Sequence, residues 1–148
     1  EVAEELGLAD QGDGRGLAIA DYDNDGDLDV YLSNQGQDGV LYRNDQGNKG
    51  NWLQVEVQGT NCNRDAIGTR ITVVAEGLSQ IREVDGGNGD HSQCPFRQHV
   101  GLGQRKTIDY VEVRWPTGYV ERFENVKPNQ LVKYVERTPL DEELDRRD

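Results

Sequence analysis

Apolar residues along this chain come in short runs, most of them alternating with polar ones, and no helical period is sustained until the last residues. Alternation at every second position puts the apolar side chains on one face of an extended strand. Leu53, Val55 and Val57 alternate in this way and predict a half-buried strand over residues 52–57. Residues 71–75 and 79–84 flank Glu76, Gly77 and Leu78 and predict a hairpin. Residues 108–115 alternate through Val111, Val113 and Trp115, and Pro116 and Gly118 then stand where a tight turn into residues 119–123 needs them. Residues 131–135 close the set, and His99 lies in a further apparent strand, where it is expected to pack. Seven or eight short strands between residues 50 and 137, with turns at regular spacing, predict a β-sandwich or small barrel.

The first third reads differently. Three closely spaced strands are expected at residues 17–20, 30–33 and 40–43, after a helical turn at residues 1–6 ended by Gly7 and a glycine-rich connector at 10–16. The turn-forming stretch 44–50 marks a boundary. The expected organisation is thus a module at 1–46, a β domain at 47–137 and a charged tail at 138–148, frayed or disordered.

Between the first two of those strands lies DYDNDGDLD, residues 21–29, with five aspartates on every second position and one glycine. Like charges at that density repel. A hard divalent cation reverses the cost, and calcium takes six to eight oxygen ligands from acidic loops with a turn glycine at the sixth position. Asp21, Asp23 and Asp25 occupy positions one, three and five, and Gly26 stands at six. Asp27 offers its carbonyl at seven and Asp29 its side chain at nine. An EF-hand is excluded, because position twelve is Leu32 rather than a bidentate glutamate and the flanks are strand-like. The competing interpretation is a solvated acidic turn.

Composition narrows the function classes. Net charge is −12, with 18 glycines, no methionine and a mean hydropathy of −0.84. That balance excludes nucleic acid and anionic membrane surfaces as partners, since both are bound through basic patches. No run of 18 apolar residues exists to span a bilayer, and no Asn-X-Ser/Thr sequon invites glycosylation. The chain starts at Glu1 without methionine, as a processed form or fragment would, so the lack of a signal peptide says little about compartment. Cys62 and Cys94 both sit in polar, turn-like segments and are expected to form a disulfide, worth roughly 3–4 kcal/mol through loop closure. Two free thiols are the alternative.

Two resemblances cover most of the chain. GRGLAIADYDNDGDLDVYLSN (residues 14–34), followed by LYRN (41–44), resembles the FG-GAP/VCBS repeat, a blade of calcium-binding β-propellers. That likeness implies side-chain ligation by Asp21, Asp23, Asp25 and Asp29 and carbonyl ligation by Asp27. The second runs through NWL (51–53), NRDAIGTR (63–70), SQIREV (79–84), GGNG (86–89), SQ (92–93), VGLG (100–103) and VEVRWPTG (111–118). In that order they resemble the ASPIC and UnbV domain, a β-rich module that follows FG-GAP repeats. Together they imply an all-β chain, a partial propeller-blade-like calcium module ahead of the sandwich or barrel. They also imply an extracellular, secreted or cell-surface setting with structural or adhesive duties. One repeat does not make a propeller, so its exposed edges call for a partner: missing blades of a longer protein, the C-terminal domain, or further copies of this chain, with a fibre as the open-ended outcome of the last.

The leading expectation is therefore a Ca2+-dependent structural or adhesion module. The alternative is a module binding carbohydrate or a protein ligand through a loop containing Asn88, Asp90, His91 and Gln93, aided by Trp52 and Trp115, although both tryptophans are expected to pack in the core. Enzymatic activity is not expected. Asp90, His91 and Ser92 are adjacent and point apart in an extended loop, and no nucleophile elbow, zinc pattern or dinucleotide fingerprint occurs.

Overall fold

Where the sequence alternates, the chain runs extended. The computed structural model describes residues 2–45, 49–87, 89 and 92–137. The described residues form ten strands: β1 (Gly14–Ala20), β2 (Asp29–Asn34), β3 (Val40–Tyr42), β4 (Asn51–Gln58), β5 (Arg70–Ala75), β6 (Leu78–Glu83), β7 (Gln98–Gly103), β8 (Tyr110–Arg114), β9 (Val120–Phe123) and β10 (Gln130–Val135). Among the described residues there is no helix. The helical turn expected at the N-terminus is a single hydrogen-bonded turn, Leu6 N to Val2 O at 3.1 Å and Leu8 N to Ala3 O at 2.8 Å, closed by Gly7. The chain divides into two compact units, residues 1–48 with 87–95 and residues 49–86 with 96–148. The division falls two residues beyond the expected boundary, and the segment 87–95 belongs to the first unit. The expected charged tail lies outside the described residues.

The second unit is a sandwich of two sheets, one in the order β10-β4-β7 and one in the order β6-β5-β8-β9. All ladders are antiparallel except β10 on β4, which is parallel. The alternating residues meet between the sheets: Leu53, Val55, Val57, Val100 and Leu102 from one, Ile71, Val73, Ala75, Val111 and Val113 from the other. Burying each such side chain is worth roughly 1.5–3 kcal/mol. Trp115 is 1% exposed and donates its indole N–H to Glu121 at 2.6 Å, which satisfies the one polar atom that its burial would strand.

Side chains, and no ladder, join the sheets at their margins. Gln80 Nε2 donates to Gly101 O at 2.6 Å and Arg82 Nε to His99 O at 2.9 Å, capping carbonyls on edge strand β7. At the other margin Phe123 and Tyr134 stack at 3.8 Å. Of the two expected alternatives, the sandwich is therefore correct and the closed barrel is not. The β5–β6 hairpin turns on Glu76 and Gly77, both at positive φ as a two-residue loop of this hand requires. The Glu76 carboxylate secures the turn by accepting the Lys106 and Thr107 N–H groups, both at 2.9 Å.

The first unit holds one antiparallel sheet, β1-β2-β3. Directly paired residues share a face, so Leu17 and Leu32 lie with Ile19 and Val30, while Ala18 and Tyr31 lie with Leu41 on the other side. Both faces remain open: Leu17 is 46% exposed, Tyr31 48% and Leu41 45%. None of the buried hydrophobic residues comes from this unit; its buried side chains, among the described residues, are Asp27 and Asp29.

Candidate metal centre

The loop of alternating aspartates joins β1 to β2, and register places its ends together, Ala20 opposite Asp29. Asn24 (φ 61°) and Gly26 (φ 100°) take left-handed conformations that fold the intervening chain back on itself. Backbone donors then fix the carboxylates one by one. Asp21 accepts from Asp25 N at 3.1 Å and Gly26 N at 3.0 Å. Asp25 accepts from Asp27 N at 2.9 Å. Asp29 is 2% exposed and accepts from Tyr22 N at 2.9 Å and Asn44 N at 2.8 Å, one on each oxygen. The result is convergence: ligand oxygens of Asp21, Asp23 and Asp29 all lie within 4.8 Å of one another.

A second group, Asp23, Asp25 and Asp45, meets the same limit and shares Asp23 with the first. Asp45 was not among the sequence-derived candidates. Its approach depends on register: Tyr42 pairs with Val30, so the chain leaving β3 passes beside the loop. Partial desolvation and the nearby Asp25 charge raise the Asp23 pKa, with Asp29 adding to the effect. Asp27 belongs to neither group. It is 4% exposed and its Oδ2 has no hydrogen-bond partner. An all-oxygen, carboxylate-rich donor set of this kind suits a hard divalent cation and offers nothing to a soft one. The residues present thus fit calcium.

Comparison with known proteins bears on the rest of the chain. Residues 59–139 match the model of the family described as ASPIC and UnbV, more than half of the sequence. The chain belongs to the ASPIC and UnbV family. It is also similar to cartilage acidic protein 1 of mouse, 35% identical over 125 residues, and to its Xenopus tropicalis and human counterparts at 34%. Those matches cover 79% of this chain and 19% of each relative, so the chain spans about a fifth of the length of the curated relatives it matches. The aspartate loop precedes the ASPIC and UnbV match.

The remaining candidates fare unequally. The expected Cys62–Cys94 disulfide is not formed; both cysteines are free. They fall in different units. Cys62 Sγ donates to Asn63 O at 3.4 Å, and burial, with the Glu136 carboxylate beside it, pushes the thiol up to about 11. A thiol held protonated is a poor partner for oxidation. Cys94 Sγ accepts the Ile19 N–H at 3.4 Å. Gln93 is exposed, while Asn88, Asp90 and His91 lie outside the described residues. Trp115 packs in the core as expected. Trp52 does not: it is half-buried on the outer face of its sheet, stacked on His99 at 6.2 Å, because its parity in β4 is opposite to that of Leu53.

Sequence reasoning missed Glu136 entirely. Its carboxylate, 2% exposed, accepts the N–H groups of Thr60 (3.1 Å), Asn61 (2.8 Å) and Cys62 (3.0 Å) and the Thr117 hydroxyl at 2.7 Å. Burial pushes its pKa up, but the Thr117 hydroxyl and the three N–H groups outweigh it and hold the value at about 2. Three successive N–H donors around one oxygen make an anion nest that only the folded chain assembles.

Proposed function

We propose that the chain is a calcium-stabilised structural or adhesion module of an extracellular protein, in which an FG-GAP/VCBS-type repeat precedes the ASPIC and UnbV sandwich. The observation that carries this reading is the convergence of Asp21, Asp23 and Asp29 to within 4.8 Å. Three carboxylates so placed repel one another until a cation separates their charges. Among its described residues the first unit also has no apolar core and shelters carboxylates instead, as expected of a fold organised by an ion. Calcium bound there supplies charge neutralisation and a fixed centre. The chain's own residues hold the loop ready: Gly26 provides the turn, Asp29 ties it to β2 and Asn44, and the Asp27 carbonyl is available at position seven.

The two open faces of the β1-β2-β3 sheet support packing against other protein, as further repeats or as a second copy, because exposed apolar area of that kind marks interaction surfaces. Likeness to proteins named cartilage acidic protein supports an extracellular setting, and this chain shares the acidity, with a pI near 4.5. Isothermal titration with calcium tests the reading directly. Binding with a Kd at or below about 1 mM, the weak end of the extracellular range, is expected, together with its loss in an Asp21→Asn/Asp23→Asn double variant. A chain that takes up no calcium, or a variant that binds as well as the parent, removes the basis for it.

A further inference from the structure

Residues 1–48 contain only two basic side chains, Arg15 and Arg43. Arg15 pairs with Asp13 at 3.0 Å, in the strand end away from the loop. Arg43 stands at the loop itself: its Nη2 lies 2.8 Å from Asp45 Oδ1, and Asp45 belongs to the carboxylate group with Asp23 and Asp25. Both side chains of this pair are more than half exposed. Both residues lie in the segment that leaves β3, and the Asn44 N–H between them is donated to Asp29. A cation therefore already lies against one of the carboxylates that calcium would use.

We propose that Arg43 is a tethered counter-cation of the aspartate loop, which occupies Asp45 in the absence of metal and must release it for calcium to draw on the Asp23, Asp25 and Asp45 oxygens. The inference rests on the calcium reading of the loop. Arginine suits the task because it stays charged at every physiological pH and forms geometrically defined pairs with carboxylates. Arg43 thus lowers calcium affinity without making it pH-dependent. Its effect is bounded by the strength of an exposed ion pair, and added salt weakens that pair.

The test is calcium titration of the full chain and of the variants Arg43→Gln, Asp45→Asn and the two combined. Circular dichroism of each calcium-free variant confirms that the fold is kept. Arg43→Gln is expected to bind calcium roughly two- to fivefold more tightly, the reach of an exposed pair. In the Asp45→Asn background the same change is expected to have little effect, and high salt is expected to shrink the difference. Parent-like affinity in Arg43→Gln, or equal tightening with and without Asp45, overturns the proposal while leaving the calcium loop intact. Failure of the parent itself to bind calcium sinks the underlying reading, so the two failures are distinguishable.

Discussion

Asp29 does more in the loop than its neighbours, because each of its oxygens is engaged by a backbone N–H from a different segment, Tyr22 and Asn44. Asp27, equally sheltered, is engaged by nothing through Oδ2. The two therefore separate in their effects. Asp29→Ala is expected to weaken calcium binding tenfold or more, since a charged hydrogen-bonding group contributes roughly 1.5–3 kcal/mol. Asp27→Asn should stay close to the parent; calcium titration of both checks the contrast. Glu136 is the other residue of consequence. Its folded pKa is depressed to about 2, so the stability it contributes is complete above the ordinary glutamate pKa. That contribution drains away as pH falls from there toward 2. Glu136→Ala should cost about 2–3 kcal/mol at neutral pH by stranding the nest of N–H groups. It should also flatten the acid limb of a denaturation series relative to the parent. The aspartate ladder was legible because covalent spacing alone displays it. Asp45 and Glu136 were not. Asp45 reaches the loop only through the β2–β3 register, and Glu136 finds its N–H donors 74 to 76 residues away. No disulfide joins Cys62 and Cys94 in the structure, and turn-like surroundings alone do not say which unit each cysteine joins.

Among the elements, strands with clean alternation were readable from the chain, because a half-buried strand must alternate. β4, β5, β8 and β10 appear close to their expected bounds. β7 was glimpsed only at His99, since Gly101 and Gly103 dilute its pattern while Val100 and Leu102 carry its core face. Its two neighbours could not be anticipated either. β7 pairs with β4, and its outer edge is capped by Gln80 and Arg82 side chains in place of another strand. The parallel placement of β10 on β4 is a long-range choice that local pattern does not encode. The division of burial gives a stability contrast. Leu53→Ala, at a fully buried position, is expected to cost about 2–5 kcal/mol. Leu131→Ala on the outer face of β10, 43% exposed, should cost far less, roughly 0.5 kcal/mol. Urea denaturation of the two variants measures the difference.

At the scale of the whole molecule, the two units rest on different physics. The sandwich has an apolar core drawn from both of its sheets. The first unit has none among its described residues, and residues 1–48 gather twelve of the 28 acidic side chains against two of the 16 basic ones. All-β character and a sandwich-forming second half were visible in the sequence, but the choice of sandwich over barrel depended on edges that only side chains close. The central claim, that an ion organises the acidic unit, is tested most directly by calorimetric melting of the chain in calcium at about a hundred times the Kd found by titration and again in excess chelator. A ligand that binds only the folded state must stabilise it, by roughly 2.7 kcal/mol at a hundred times its Kd. For a unit this small that amounts to a rise of about 10 °C or more in one transition, and the sandwich transition should move little. Superimposable melts in calcium and chelator would contradict the account.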